Sequence, residues 1–200
     1  MAKLYFRYGT MDSAKTMNLL AVAHNYRQQG KNVALLKPRL DDRFGGGVIA
    51  SRSGLEKPVD LLLEDDSELD PPFFADLDCV LVDEAQFLSV KVIEQLRAIT
   101  RTQNVPVICY GLRTDFRTRL FPGARRLFEL ADSIEEVKVT CQFCNRKAIF
   151  NMRIVDGQPT EDGAQIQLGA NEAYAPTCHV CYVERLPGAI ERAGHAEVET

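Results

Sequence analysis

Two kinds of apolar pattern alternate along the first two-thirds of the chain. Short uninterrupted apolar runs are separated by stretches whose apolar residues recur every three or four positions. Lys3–Tyr8 reads as a strand. Lys15–Gln29 reads as a helix, with Leu19, Leu20, Ala23 and Tyr26 near one face and Gly30 as its stop. Asn32–Leu36 predicts a second strand. Cys79–Val82 is a continuous apolar run of the kind buried on both faces of a sheet. Ser89–Arg101 predicts a helix striped by Val92, Ile93, Leu96 and Ile99. Val105–Tyr110 and Ile134–Val139 are the remaining strands. Strands alternating with helices predict a mostly parallel sheet in an α/β core.

The pattern changes near Thr140, where paired cysteines, glycines and alternating residues replace the helical period. We expect an α/β unit over 1–139, a small second domain over 140–186 and a polar tail over 187–200. No internal repeat or low-complexity tract interrupts this plan.

Composition fits that plan and removes some function classes. The 200 residues are 46% apolar and 26% charged, the balance of a soluble globular protein with room for one core and an appendage. No apolar run approaches the ~18–20 residues of a membrane span. Met1–Tyr8 lacks the long apolar centre of a signal peptide, so a cytoplasmic location without a membrane partner is expected. The net charge is −4, which disfavours nucleic acid as partner. Glu56–Asp78 holds nine acids and one lysine, a net of −8, and the other residues therefore sum to +4. A solvated face accounts for the acidic run. Arg113, Arg117, Arg119, Arg125 and Arg126 follow a strand end, where α/β proteins bind ligands.

Chemistry enters after the first strand. Gly9-Thr10-Met11-Asp12-Ser13-Ala14-Lys15-Thr16 follows the phosphate-loop template G-x-x-x-x-G-K-[ST] except at Ala14. In such a loop the backbone N–H groups face phosphate oxygens, Lys15 reaches the β- and γ-phosphates, and the Thr16 hydroxyl ligates Mg²⁺. The alternative is a plain strand–turn–helix with a chance Lys-Thr. Two departures bear on affinity. Alanine takes positive φ only at a cost, so Ala14 is tolerated best in helical geometry. A carboxylate at Asp12 would repel phosphate by ~1–4 kcal/mol at ~4 Å unless it points outward.

The apolar run Cys79–Val82 ends in Asp83-Glu84-Ala85-Gln86-Phe87. An acid at such a strand end holds the Mg²⁺ shell, which suits Asp83. Glu84 can then face a hydroxyl acceptor as general base. Two acids opening a surface loop is the plainer alternative.

The six cysteines divide by spacing. Cys141-x-x-Cys144 and Cys178-x-x-Cys181, with 33 residues between the pairs, make a closed four-thiolate site of the structural zinc type. A redox pair or buried thiols are the alternatives. His179 reads as a bystander. Cys79 and Cys109 read as small core residues.

Together these segments resemble the type II thymidine kinases, a class of bacterial and vertebrate cytosolic enzymes. The resemblance rests on Gly9–Thr16, Asp41-Asp42-Arg43-Phe44, Asp83–Phe87, Cys109–Phe116, the two cysteine pairs and Leu168–Tyr174, in the family's order. It implies a RecA-like P-loop core and a zinc domain carrying a lasso-like substrate loop. It implies transfer of the ATP γ-phosphoryl group to the 5′-hydroxyl of thymidine, with Glu84 as base. Gly9–Thr16 would hold the donor phosphates, Thr16, Asp83 and Gln86 would serve Mg²⁺, and Asp41 and Arg43 would sit in a lid near the donor. Met11, Phe87, Leu112 and Phe116 would line the thymine pocket, and Gly169 and Tyr174 the closing loop. Feedback inhibition by thymidine triphosphate and a homotetramer follow from the same resemblance. Two other readings compete: a RecA-like ATPase with a zinc ribbon acting on nucleic acid, and a low-activity nucleotide sensor.

Overall fold

A computed structural model describes residues 1–42, 46–165 and 173–186. Arg43, Gly169 and the tail 187–200 lie outside the described residues. The chain runs β1 (Leu4–Tyr8), α1 (Lys15–Gln28), β2 (Val33–Pro38), β3 (Val48–Ala50), β4 (Glu56–Pro58), β5 (Leu61–Leu63), α2 (Pro71–Phe74) and β6 (Cys79–Val82). It continues through a 3₁₀ turn (Ala85–Phe87), α3 (Val90–Thr102), β7 (Val107–Gly111), α4 (Pro122–Leu130), β8 (Ser133–Glu136), β9 (Phe150–Val155), β10 (Gln158–Thr160), β11 (Ala173–Thr177) and α5 (His179–Arg185).

Six strands form one sheet in the order β5-β2-β6-β7-β1-β8. Every pairing in it is parallel, as the alternation of apolar runs and helical periods predicts. β7 separates β1 from β6, the arrangement of RecA-like cores. Period-two packing sorts the strand side chains. Val80, Val82, Val107, Cys109, Leu4 and Phe6 face one way and pack with Val92, Ile93 and Leu96 of α3 and Leu127 of α4. Cys79, Leu81, Ile108 and Tyr110 face the other way and meet Leu19, Leu20 and Ala23 of α1. Both central cysteines are thus core residues.

A second sheet, β10-β9-β11, is antiparallel. α5 closes it, with Tyr182 buried against Met152 and Phe150. The Tyr182 hydroxyl also donates to the Phe116 carbonyl, which joins this sheet to the loop after β7.

Several elements differ from the sequence expectation, each for a physical reason. The last strand of the main sheet ends at Glu136 rather than Val139. It lies at the sheet edge, where Ile134 stays exposed and the apolar pattern no longer marks a boundary. β3 and β4 have three residues each, and all of β4 is exposed, so neither shows an apolar period. β5 lies inside the acidic run. That run is not only a solvated face: Asp60 and Asp78 accept the backbone N–H groups of Leu35 and Asn32. α4 lies within the arginine cluster, with Ala124 and Leu127 as its buried stripe and Pro122 in its first turn.

The start of α4 sets the position of the turn that follows β6. A Cβ on Gly123 would lie 2.6–2.9 Å from the carbonyl oxygens of Leu88, Ala85 and Gln86. Backbone atoms cannot yield as a flexible side chain can. Gly123→Ala should therefore destabilise the protein by ~1–3 kcal/mol, read as a lower midpoint in denaturant unfolding.

Candidate active site

The carboxyl ends of β1, β6 and β7 open at the same edge of the sheet, because parallel strands share their direction. Gly9–Thr16 leaves β1 there, and the Gly9 N–H donates to the Gly111 carbonyl at 3.2 Å. The loop then turns through two left-handed residues, Asp12 (φ 60°) and Ala14 (φ 61°). Ala14 thus does not have the helical geometry that would suit a Cβ best. Its carbonyl accepts the Asn18 N–H at 2.9 Å, opening α1, while its methyl is exposed. Ser13 Oγ donates to the Thr10 carbonyl at 2.8 Å, and Lys15 Nζ donates to the same carbonyl at 2.6 Å. The ammonium therefore lies folded within the loop. Met11 N–H donates to Asn151 Oδ1 of β9 at 2.7 Å, tying the loop to the second sheet.

Thr16 Oγ1 donates to Asp83 Oδ2 at 2.9 Å. This brings together the two side chains expected to serve one cation. Burial, with the neighbouring Glu84 charge, pushes the Asp83 carboxyl up to about 7. A bound cation would reverse that logic by favouring the carboxylate.

Glu84 takes left-handed geometry at φ 49°, so the chain departs sharply from β6 into the 3₁₀ turn. Gln86 lies under that turn and is buried. Its Nε2 donates to Glu84 Oε2 at 2.6 Å, and its Oε1 accepts the Leu112 N–H at 2.9 Å. Gln86 thus reaches Glu84, next to Asp83, and the backbone after β7. A Cβ on Gly111 would come within 2.7 Å of Gln86 Oε1 and 3.1 Å of the Gln86 backbone nitrogen, so a side chain there would press on the Gln86 bonds.

Four of the predicted nucleoside-pocket residues fall into two groups. Phe87 and Leu112 are half-buried against the α3–α4 core, with Phe87 edge-on to Phe121 at 5.6 Å. Phe116 is buried and its ring centroid lies 6.5 Å from that of Tyr174 on β11. The guanidinium carbons of Arg117 and Arg153 lie 5.1 and 5.2 Å from the Phe116 ring centroid. Asp41 is buried and paired with Lys37 at 3.4 Å.

Sequence reasoning missed Asn151, Arg153 and Asp115. Asp115 accepts the N–H groups of Arg117 and Arg119 at 2.9 Å and the Gln165 side chain at 2.9 Å. It lies inside a segment already singled out, as Cys109–Phe116, so its signal was present. Asn151 and Arg153 lie in an alternating strand with no motif. The arginine cluster has local partners: Arg113 and Arg117 donate to the carbonyls of Ile149 and Glu161, and Arg126 pairs with Glu94 and Glu129.

The Sγ atoms of Cys141, Cys144, Cys178 and Cys181 all lie within 4.8 Å of one another. A tetrahedral zinc with ~2.3 Å bonds holds its sulfurs ~3.8 Å apart. Cys144 and Cys178 are 3.6 Å apart, so the donor set fits one such ion. Phe143, the third residue of the first C-x-x-C, and Cys181, the last of the second, donate N–H bonds to Cys141 and Cys178 Sγ. Burial raises the Cys141 thiol, but the backbone donors of Cys178 and Phe143 outweigh it and bring it to about 7. Burial and the three other thiols push Cys181 up to about 12. A divalent ion would resolve this competition by stabilising all four thiolates. His179 opens α5 and is exposed.

Comparison with known proteins gives a consistent result. The family model described as thymidine kinase matches residues 2–182. The thymidine kinase of Lactiplantibacillus plantarum is 46% identical over 190 residues, covering 93% of this chain and 99% of its own. That of Lactococcus lactis subsp. lactis is 44% identical over 189 residues, covering 91% and 97%. The Pif1 helicase of Candida albicans superposes on 68% of this chain and 36% of its own with TM-score 0.41 and 11% identity.

Left-handed alanine costs ~1–2 kcal/mol, and glycine gives back part of that through its greater unfolded-state freedom. Ala14→Gly should therefore stabilise the protein by up to about 1 kcal/mol in denaturant unfolding; a lower midpoint would show that the methyl makes a needed contact. Metal analysis of purified protein should find about one zinc per chain. Its removal by chelator should loosen Tyr182 and α5, detected as faster amide exchange in β9, β11 and α5.

Proposed function

The chain belongs to the thymidine kinase family, and from that premise we propose that it transfers the γ-phosphoryl group of ATP to the 5′-hydroxyl of thymidine, giving dTMP and ADP for DNA synthesis. The observation that carries this reading is the division of labour between two adjacent carboxylates. Asp83 is buried and bonded to the phosphate-loop threonine, while Glu84 is half-buried and held by Gln86. Environments that differ this much mark neighbouring acids with different tasks.

The loop backbone from Gly9 to Thr16 receives the donor phosphates, and Lys15 swings from the Thr10 carbonyl to the transferring group. Thr16 and Asp83 would hold Mg²⁺, which would supply positive charge against the negative charge that develops as the phosphoryl group is transferred. Glu84 accepts the 5′-hydroxyl proton as the new P–O bond forms, and Gln86 fixes the carboxylate in its strained turn. Removing that proton matters because a neutral hydroxyl is a poor nucleophile. Met11, Phe87, Leu112, Phe116 and Tyr174 supply the apolar surround for thymine, and Gly169 belongs to the loop that closes it. Asp41, buried beside Lys37, anchors the donor side of the sheet, and Arg43 is expected to act near the donor phosphates. The four cysteines hold zinc, which fixes both ends of the segment 145–177.

The working enzyme is a cytoplasmic homotetramer restrained by thymidine triphosphate. Neither nucleic acid nor a membrane is needed. The local partners of the arginine cluster weigh against a DNA surface, and no described helix is long and apolar enough to cross a membrane.

Glu84→Gln tests the base directly. Turnover should fall ~10²–10⁴-fold, the usual worth of a general base, while thymidine binding measured by calorimetry stays nearly intact. Turnover preserved within a few-fold would remove Glu84 from that role. ADP release across a nucleoside panel, with and without single-stranded DNA, separates the competing readings. Stimulation by DNA but not thymidine would overturn the kinase assignment.

A further inference from the structure

Asp12 is unexplained by the proposed chemistry. It places a carboxylate in a loop whose task is to receive phosphate, where like charges repel. The structure gives that carboxylate a partner from a distant part of the chain: Arg52 Nη1 donates to Asp12 Oδ1. Arg52 lies in the turn joining β3 and β4, and that turn is well tied. Ser51 N–H donates to the Leu55 carbonyl at 2.8 Å and Gly54 N–H to the Ser51 carbonyl at 3.0 Å. Ser51 Oγ accepts the Leu55 N–H, and Ile49 is buried beside α1 in the core. The hairpin therefore presents Arg52 from a fixed base, although its side chain is 66% exposed.

We propose that Arg52 is a positioning residue for the donor loop: it draws the Asp12 carboxylate away from the phosphate site and neutralises it, so that Asp12 does not weaken nucleotide binding. This rests on the reading of Gly9–Thr16 as the donor loop. Asp12 has left-handed backbone geometry, which aspartate tolerates better than most residues, so the pair also lets an acid occupy a turn position without its electrostatic penalty. An exposed pair acts weakly and is screened by salt, so the effect should be modest and salt-dependent.

The test is a double-mutant cycle in steady-state kinetics at low salt. Arg52→Ala should raise the KM for ATP about three- to ten-fold, with kcat and the KM for thymidine little changed. The rise should shrink as salt is added. In the Asp12→Asn background the same Arg52→Ala change should have almost no effect on the ATP KM, because the charge it guards is gone. An unchanged ATP KM in Arg52→Ala would overturn the proposal. So would an equal rise in both backgrounds, which would show Arg52 meeting phosphate directly. Failure of the unmutated protein to use ATP at all would instead remove the donor-loop reading on which the proposal stands.

Discussion

Parallel pairing is the constraint from which the site follows. Strands β1, β6 and β7 hydrogen-bond side by side in one direction, with Leu4 opposite Val107 and Val80 opposite the same Val107. Three chain segments must therefore leave the sheet at one edge, each at the end of a buried run. The phosphate loop, the Asp83–Glu84 pair and the segment after Gly111 meet there without long reach. The Thr16–Asp83 bond spans 67 positions of sequence and needs only one strand to separate its parents.

Backbone shape then decides what those segments present. Asp12, Ala14 and Glu84 all take left-handed geometry, which non-glycine residues adopt at a cost. Such positions persist where surrounding structure over-determines them. Glu84 is held by Gln86, and Gln86 is seated by Gly111 and by the start of α4 at Gly123. A single buried amide thus joins the carboxylate, the backbone after β7 and the 3₁₀ turn. Glycine at 111 and 123 serves close approach rather than positive φ, and only space decides those two positions.

How much of this was legible beforehand depends on how much each signal relied on local pattern. Buried strands and the α1 and α3 stripes could be read because burial on both faces leaves an uninterrupted apolar run, and burial on one leaves a period. The cysteine pairs and the phosphate loop could be read because fixed spacing is itself the chemistry. Short exposed strands such as β4 left no such trace. Asn151 and Arg153 lie in a strand whose partners, Met11 and the Phe116 ring, are far away in sequence. Nothing local distinguishes an asparagine that ties a loop from one that faces water. Gln86 stands in a segment the sequence singles out, but its partners are not legible there, because the direction of a side chain after a left-handed residue cannot be read from spacing.

The charged pair Lys37–Asp41 brings these levels together on the donor side. Lys37 is 1% exposed and Asp41 5%. Two buried charges give little net stability, since the loss of hydration offsets most of their attraction. Specific placement is the better explanation. Lys37 Nζ lies 3.4 Å from Asp41 and donates to the Val48 carbonyl at 2.9 Å, so one ammonium joins Asp41, in the turn after β2, to the first residue of β3. The Val59 N–H, donating to the Gly47 carbonyl, closes the same base from the other strand's end. The β3–β4 hairpin is thereby fixed at its root to the central sheet. Because Arg52 lies at its tip, the buried Lys37–Asp41 pair holds the base of the same hairpin whose exposed turn carries the Arg52–Asp12 pair.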